Sequence, residues 1–73
     1  MPKRLRGIKG IEAVKAFIAA GGIRKKGKGD HINLKMPKGQ IITIPGYKEL
    51  KVGLLKAAIK KAGLTEEEFL ELM

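Results

Sequence analysis

The spacing of apolar residues changes twice along this 73-residue chain, and each change marks a different kind of backbone. From Lys9 onward, Ile11, Val14, Phe17 and Ile18 fall three, three and one apart, which draws a single stripe on a helix. Gly21 and Gly22 follow, residues that accept the left-handed conformation at a helix C-terminus. Ile23 to Lys26 is a short candidate strand, and Gly27-Lys28-Gly29 is a turn. From Asp30 the period drops to two: Ile32, Leu34 and Met36 alternate with His31, Asn33 and Lys35, so a strand here has one apolar side and one wet side. Pro37-Lys38-Gly39 is a second tight turn. Gln40 to Ile44 is a β-rich run whose facing stays open, because Ile41 and Ile42 are adjacent, and Pro45-Gly46 stops it. The helical period returns over Lys51 to Ala62, with Val52, Leu55, Ala58, Ile59 and Ala62 on one face and Gly63 as a cap. Thr65, with Glu66, Glu67 and Glu68 behind it, opens a last short helix as a capping box, and Phe69, Leu70, Leu72 and Met73 can fold that helix back.

The expected fold is therefore α+β: a three-stranded antiparallel sheet with helices on one face, in the order α-β-β-β-α plus a short C-terminal helix. One domain is expected over residues 1–73, with the basic stretch Met1 to Gly7 as a flexible arm. The helix-free face then carries His31, Asn33 and Lys35. Asp30, next to His31 in sequence, is expected on the opposite face, capping the Gly27 to Gly29 turn rather than meeting the imidazole.

Composition narrows the chemistry. A chain this short buries only roughly 60% of the surface its unfolded form exposes. Its aromatic residues are Phe17, Tyr47 and Phe69, so the core is aliphatic and a large enclosed cofactor site is not expected. Without cysteine there is no disulfide framework and no thiolate zinc site, and a single His cannot supply an imidazole cluster; neither a metal nor a cofactor is expected. Sixteen basic and seven acidic residues give +9, unevenly spread: +8 over residues 1–29, +5 over 30–63 and −4 over 64–73. Lys and Arg that neutralise phosphates gain counterion-release entropy, so nucleic acid is the expected partner. A membrane partner is not expected, since Glu12 and Lys15 interrupt the most hydrophobic early stretch, Ile11 to Ile23. The lack of cysteine is compatible with the reducing cytoplasm, which is the expected location.

Gly29-Asp30-His31 follows a basic strand; Ile42-Thr43-Ile44-Pro45 comes next, then Lys48-Glu49-Leu50-Lys51-Val52-Gly53-Leu54-Leu55-Lys56, and near the end Ala62-Gly63-Leu64-Thr65-Glu66-Glu67-Glu68-Phe69. In that order, over Ile8 to Met73, these motifs resemble the HicA family of small mRNA interferase toxins, also called YcfA-like proteins. The resemblance implies a double-stranded-RNA-binding-domain-like fold and endoribonuclease action on messenger RNA as the toxin of a type II toxin–antitoxin system. It also implies an antitoxin of the HicB type that occludes the active face, with DNA contact only indirectly through the antitoxin complex, and it makes His31 the counterpart of the family's catalytic His. The chain departs from the family at Asp30 and Ile32, where Ser and often a second His stand, and at Gly46-Tyr47, where a His often follows the Val-Pro segment.

Metal-free RNA cleavage needs a base for the ribose 2′-OH proton, an acid for the leaving 5′-oxygen and positive charge at the phosphate. An imidazole, with a reference pKa of about 6.5, serves either proton-transfer role near neutral pH. His31 is the sole candidate, and Lys35, on the same strand face, is the preferred second group ahead of Lys28 or solvent. Arg24, Lys25, Lys26 and Lys28 form the densest basic run and are expected at phosphate, with Asn33, Lys35 and Lys48 as further RNA contacts. Tyr47 either stacks on an unpaired base or packs as a lid over the core. Two other readings compete: a non-catalytic RNA-binding module on the same basic face, and a helix-turn-helix over Lys51 to Met73 that enters a DNA groove. The second helix of the latter opens on Glu66-Glu67-Glu68, which phosphate repels.

Overall fold

The computed structural model describes residues 5–73. Six elements follow one another: α1 (Gly10–Ala19), β1 (Ile23–Lys25), β2 (His31–Lys35), β3 (Ile41–Pro45), α2 (Val52–Lys61) and α3 (Glu66–Glu71). The strands form one antiparallel sheet in the order β1-β2-β3, with Lys25 opposite Asn33 and His31 opposite Pro45. This is the expected α+β arrangement, consistent with the double-stranded-RNA-binding-domain-like fold.

Local chemistry sets the helix ends. At the end of α1, Gly21 takes φ +101°, its N–H donates to Ile18 O, and the Gly22 N–H reaches back to Phe17 O. Gly63, at φ +79°, closes α2 in the same way: its N–H goes to Lys60 O and that of Leu64 to Ile59 O. Both ends are Schellman motifs, and both use glycine where a side chain would be strained. The Thr65 hydroxyl accepts from the Glu68 N–H at 3.1 Å, while the Glu68 carboxylate accepts from the Thr65 N–H at 3.0 Å. A six-residue helix has little cooperative stability of its own, so this reciprocal cap carries weight. Thr65→Ala is expected to cost about 1 kcal/mol, lowering the melting temperature by roughly 4–8 °C in a domain of this size, as thermal melting followed by circular dichroism would register.

One face of the sheet is dry. Ile32 and Leu34 of β2 and Ile42 and Ile44 of β3 are buried, which settles the facing of the Gln40 to Ile44 run with Ile41 outward. Over them lie Ala13, Val14, Ala16 and Phe17 of α1, Leu55, Ala58 and Ile59 of α2, and Phe69 of α3. The helices sit differently from the apolar stripes drawn on them. Ile18 and Val52 are substantially exposed, while Ala13 and Ala16 are fully buried. Small side chains let the α1 backbone approach the sheet closely, so the helix turns its alanines inward and leaves Ile18 at the margin. Leu5, inside the stretch expected as a flexible arm, is buried, as is Ile8; residues 1–4 of that stretch lie outside the described residues. Among the described residues no helix is long and apolar enough to cross a membrane.

The chain entering α1 is stitched to the chain leaving β3. The Leu50 N–H donates to Ile8 O, the Gly10 N–H to Lys48 O and the Ile11 N–H to Gly46 O, at 2.8–2.9 Å. Gly10 is required here: a Cβ would stand 1.9 Å from Pro45 O.

Candidate active site

Because β2 alternates, the face away from the helices carries His31, Asn33 and Lys35, as the period of two predicts. His31 opens the strand. Its N–H donates to Lys28 O at 3.0 Å, and Gly27 passes so close that a Cβ there would meet His31 O at 2.2 Å. The tight Gly27 to Gly29 turn thus swings the basic run beside the imidazole.

The result is an open cleft of about 400 Å³ at one end of the sheet. Arg24, Lys25 and Lys26 line it from the β1 flank, Asp30 and His31 from the centre, and Tyr47 from beyond β3. A second hollow of about 320 Å³, between β3 and α2, is lined by Ile41, Leu54 and Ala57 among others, with Lys61 as its one charged group. The titratable chemistry is concentrated in the first.

Asp30 is not where a regular strand would put it. Its Oδ1 lies 3.4 Å from His31 Nδ1, correcting the expectation that the two residues face apart. The reason is local: Asp30 precedes β2, in the turn that follows Gly29 at φ +61°, so the alternation of a strand does not yet apply. Turn capping by its side chain is not among the hydrogen bonds of the described residues; its backbone C=O instead accepts from the Gly46 N–H at 2.7 Å. With Nδ1 turned toward a carboxylate, Nε2 is the nitrogen left for a substrate.

The other site residues separate into groups. Lys35 shares the face of His31 but stands four residues along β2, about 13 Å at the usual rise of a strand, so it is not the imidazole's partner. Asn33 is committed internally: its Nδ2 donates to Lys26 O at 3.0 Å and its Oδ1 accepts from the Thr43 hydroxyl at 2.7 Å. It therefore ties the basic loop to β3, a bracing role that the alternation alone did not reveal. Lys28 and Lys48 are exposed and contribute backbone carbonyls to His31 and Gly10 respectively, but neither lines the cleft. Tyr47 is 74% exposed, which removes the reading of it as a lid over the core. Among the described residues no three His, Asp or Glu side chains gather as metal ligands would.

A family model for the HicA toxin of bacterial toxin–antitoxin systems matches residues 10–64, from the start of α1 to just past α2. The chain belongs to the HicA toxin family. The match covers every residue of the cleft, and HicA membership implies a toxin with a partner antitoxin of the HicB type. HicA toxins are generally ribonucleases, in keeping with the basic cleft. A comparison with curated protein sequences gives no match.

Proposed function

We propose that this HicA-family chain is a cytoplasmic endoribonuclease that cuts messenger RNA without a metal, and that an HicB-type antitoxin silences it by covering the cleft. The observation that carries the reading is the imidazole of His31, with the Asp30 carboxylate 3.4 Å from its Nδ1, set in a cleft that Arg24, Lys25 and Lys26 make positive.

In this reading His31 Nε2 takes the proton of a ribose 2′-OH, and the 2′-oxygen attacks the adjacent phosphorus. The guanidinium of Arg24 and the neighbouring ammonium groups balance the charge that builds on the phosphorane oxygens. The bond from phosphorus to the 5′-oxygen breaks, and a lysine ammonium of the same cleft, Lys25 or Lys26, protonates that oxygen. The products are a 2′,3′-cyclic phosphate and a 5′-hydroxyl, and proton exchange with water resets both groups. Asn33 serves by bracing Lys26 rather than by touching RNA. Lys28, Lys35 and Lys48 are peripheral cations that add attraction to the strand at longer range.

Purified protein incubated with an end-labelled single-stranded RNA in EDTA is expected to give discrete fragments ending in cyclic phosphate. RNA that is retarded on a native gel yet stays intact on a denaturing gel would replace the nuclease reading with a non-catalytic RNA-binding module.

A further inference from the structure

Two of the three aromatic rings in this chain are fully buried, and the third, Tyr47, stands 74% exposed beside the cations and the imidazole. An exposed ring on a loose loop would mean little, but this one is mounted on fixed backbone. On its N-terminal side, Gly46 is held twice: its N–H donates to Asp30 O at 2.7 Å and its C=O accepts from the Ile11 N–H at 2.9 Å. On its C-terminal side, Lys48 is held by the Gly10 N–H at 2.9 Å. Gly46 also packs so tightly that a Cβ would fall 2.7 Å from Ile32 Cδ1 and 3.1 Å from Asp30 O. The residue before the ring is thus bonded directly to the residue before the imidazole, and the two rings are set on one frame.

We infer that Tyr47 is a base-stacking subsite: it holds one unpaired nucleobase against its exposed face and so places a neighbouring phosphate of the same strand at His31. This deepens the proposed function and rests on its assignment of RNA as the ligand. The physical case is one of division of labour. Arg24, Lys25 and Lys26 attract any polyanion and do not distinguish a single strand from a duplex. A tyrosine face does, because the bases of a duplex are already stacked on one another and only a splayed base can lie on a side chain. Since the backbone on both sides of Tyr47 is already ordered, stacking loses little conformational freedom on binding. Its ligand is an unpaired base, on RNA or on DNA, because stacking does not involve the 2′-OH.

The test separates binding from cutting by using His31→Ala protein, in which the strand survives. A short single-stranded RNA carrying the fluorescent base 2-aminopurine is titrated with this protein and with versions that also carry Tyr47→Ala or Tyr47→Phe. The first is expected to quench the fluorophore; Tyr47→Ala is expected to lose the quench and bind roughly 10-fold more weakly, and Tyr47→Phe to keep both. Duplex RNA is expected to bind all three alike, and a single-stranded DNA of the same sequence to show the same Tyr47→Ala penalty. The inference is overturned if Tyr47→Ala binds and quenches like its parent, if Tyr47→Phe loses as much as Tyr47→Ala, or if the penalty is confined to RNA. Because an exposed side chain is removed, misfolding is not the expected cause of a loss, and matching melting temperatures check this. If the His31→Ala protein stacks the base and wild type never cuts, the nuclease reading alone is sunk; if wild type cuts and the His31→Ala protein does not stack, this inference alone is sunk.

Discussion

His31→Ala is expected to lose at least roughly 100-fold in RNA cleavage, the lower end of what a positioned acid or base contributes, while its melting temperature stays at the wild-type value. The two halves of that result have separate causes. The imidazole side chain is 56% exposed, and its ion-pair contact among the described residues is with Asp30, itself partly open to solvent, so removing it leaves no cavity and no buried charge without a partner. The cations that draw RNA in, Arg24, Lys25 and Lys26, are untouched, so binding and its dependence on salt should persist. Asp30→Asn should fall between the two proteins, because the amide still occupies the place beside Nδ1 but lacks the carboxylate's charge. The measurement is a denaturing gel in EDTA on identically prepared wild type and variants. Equal cutting by wild type and His31→Ala would mean that some other group, or a contaminant, does the chemistry.

The sequence made the scaffold readable because glycine and hydrophobic period act locally. Gly21, Gly63 and the Thr65 to Glu68 pair specify ends within a few residues of themselves, and the alternation from Ile32 to Met36 fixes which side of β2 is wet without reference to the rest of the chain. What failed depended on partners distant in sequence or on irregular backbone. Ile18 and Val52 look like core positions on a helical wheel, but packing decides which side of each helix is covered: α1 buries Ala13 and Ala16 and leaves Ile18 outside, and Val52 stands exposed at the start of α2. Asp30 escapes the alternation of β2 because it lies in the turn one residue before the strand begins. Asn33 and Lys35 share a face with His31, yet a face is not a site: one is consumed by Lys26 and Thr43, and the other lies at the far end of the strand. The pins that hold Tyr47 are backbone bonds to α1 and to Asp30, and no side-chain pattern encodes them.

The largest stability effect is expected outside the segment that matches the family, at Phe69. That match ends at residue 64, before α3, yet Phe69 is fully buried and its ring lies 5.0 Å from that of Phe17, tilted by 48°. Two large side chains in contact make the centre of a core otherwise built from aliphatic residues and alanine, so a cavity left there has little nearby to fill it. Phe69→Ala is expected to cost about 3–5 kcal/mol. The total stability of a 73-residue domain is itself only roughly 4–11 kcal/mol, at about 0.05–0.15 kcal/mol per residue. The melting temperature should therefore fall by roughly 12 °C or more, with Phe69→Leu losing much less. RNA cleavage at physiological temperature should fall too, although every residue of the cleft is unchanged, because the frame that sets Gly46 against Asp30 exists only in the folded chain. His31→Ala and Phe69→Ala would then both be inactive for opposite reasons, and a thermal melt tells them apart. Should Phe69→Ala melt within about 3 °C of wild type, a shift worth less than about 1 kcal/mol at this size, α3 would be an appendage, and the core would have to close over Phe17 without it.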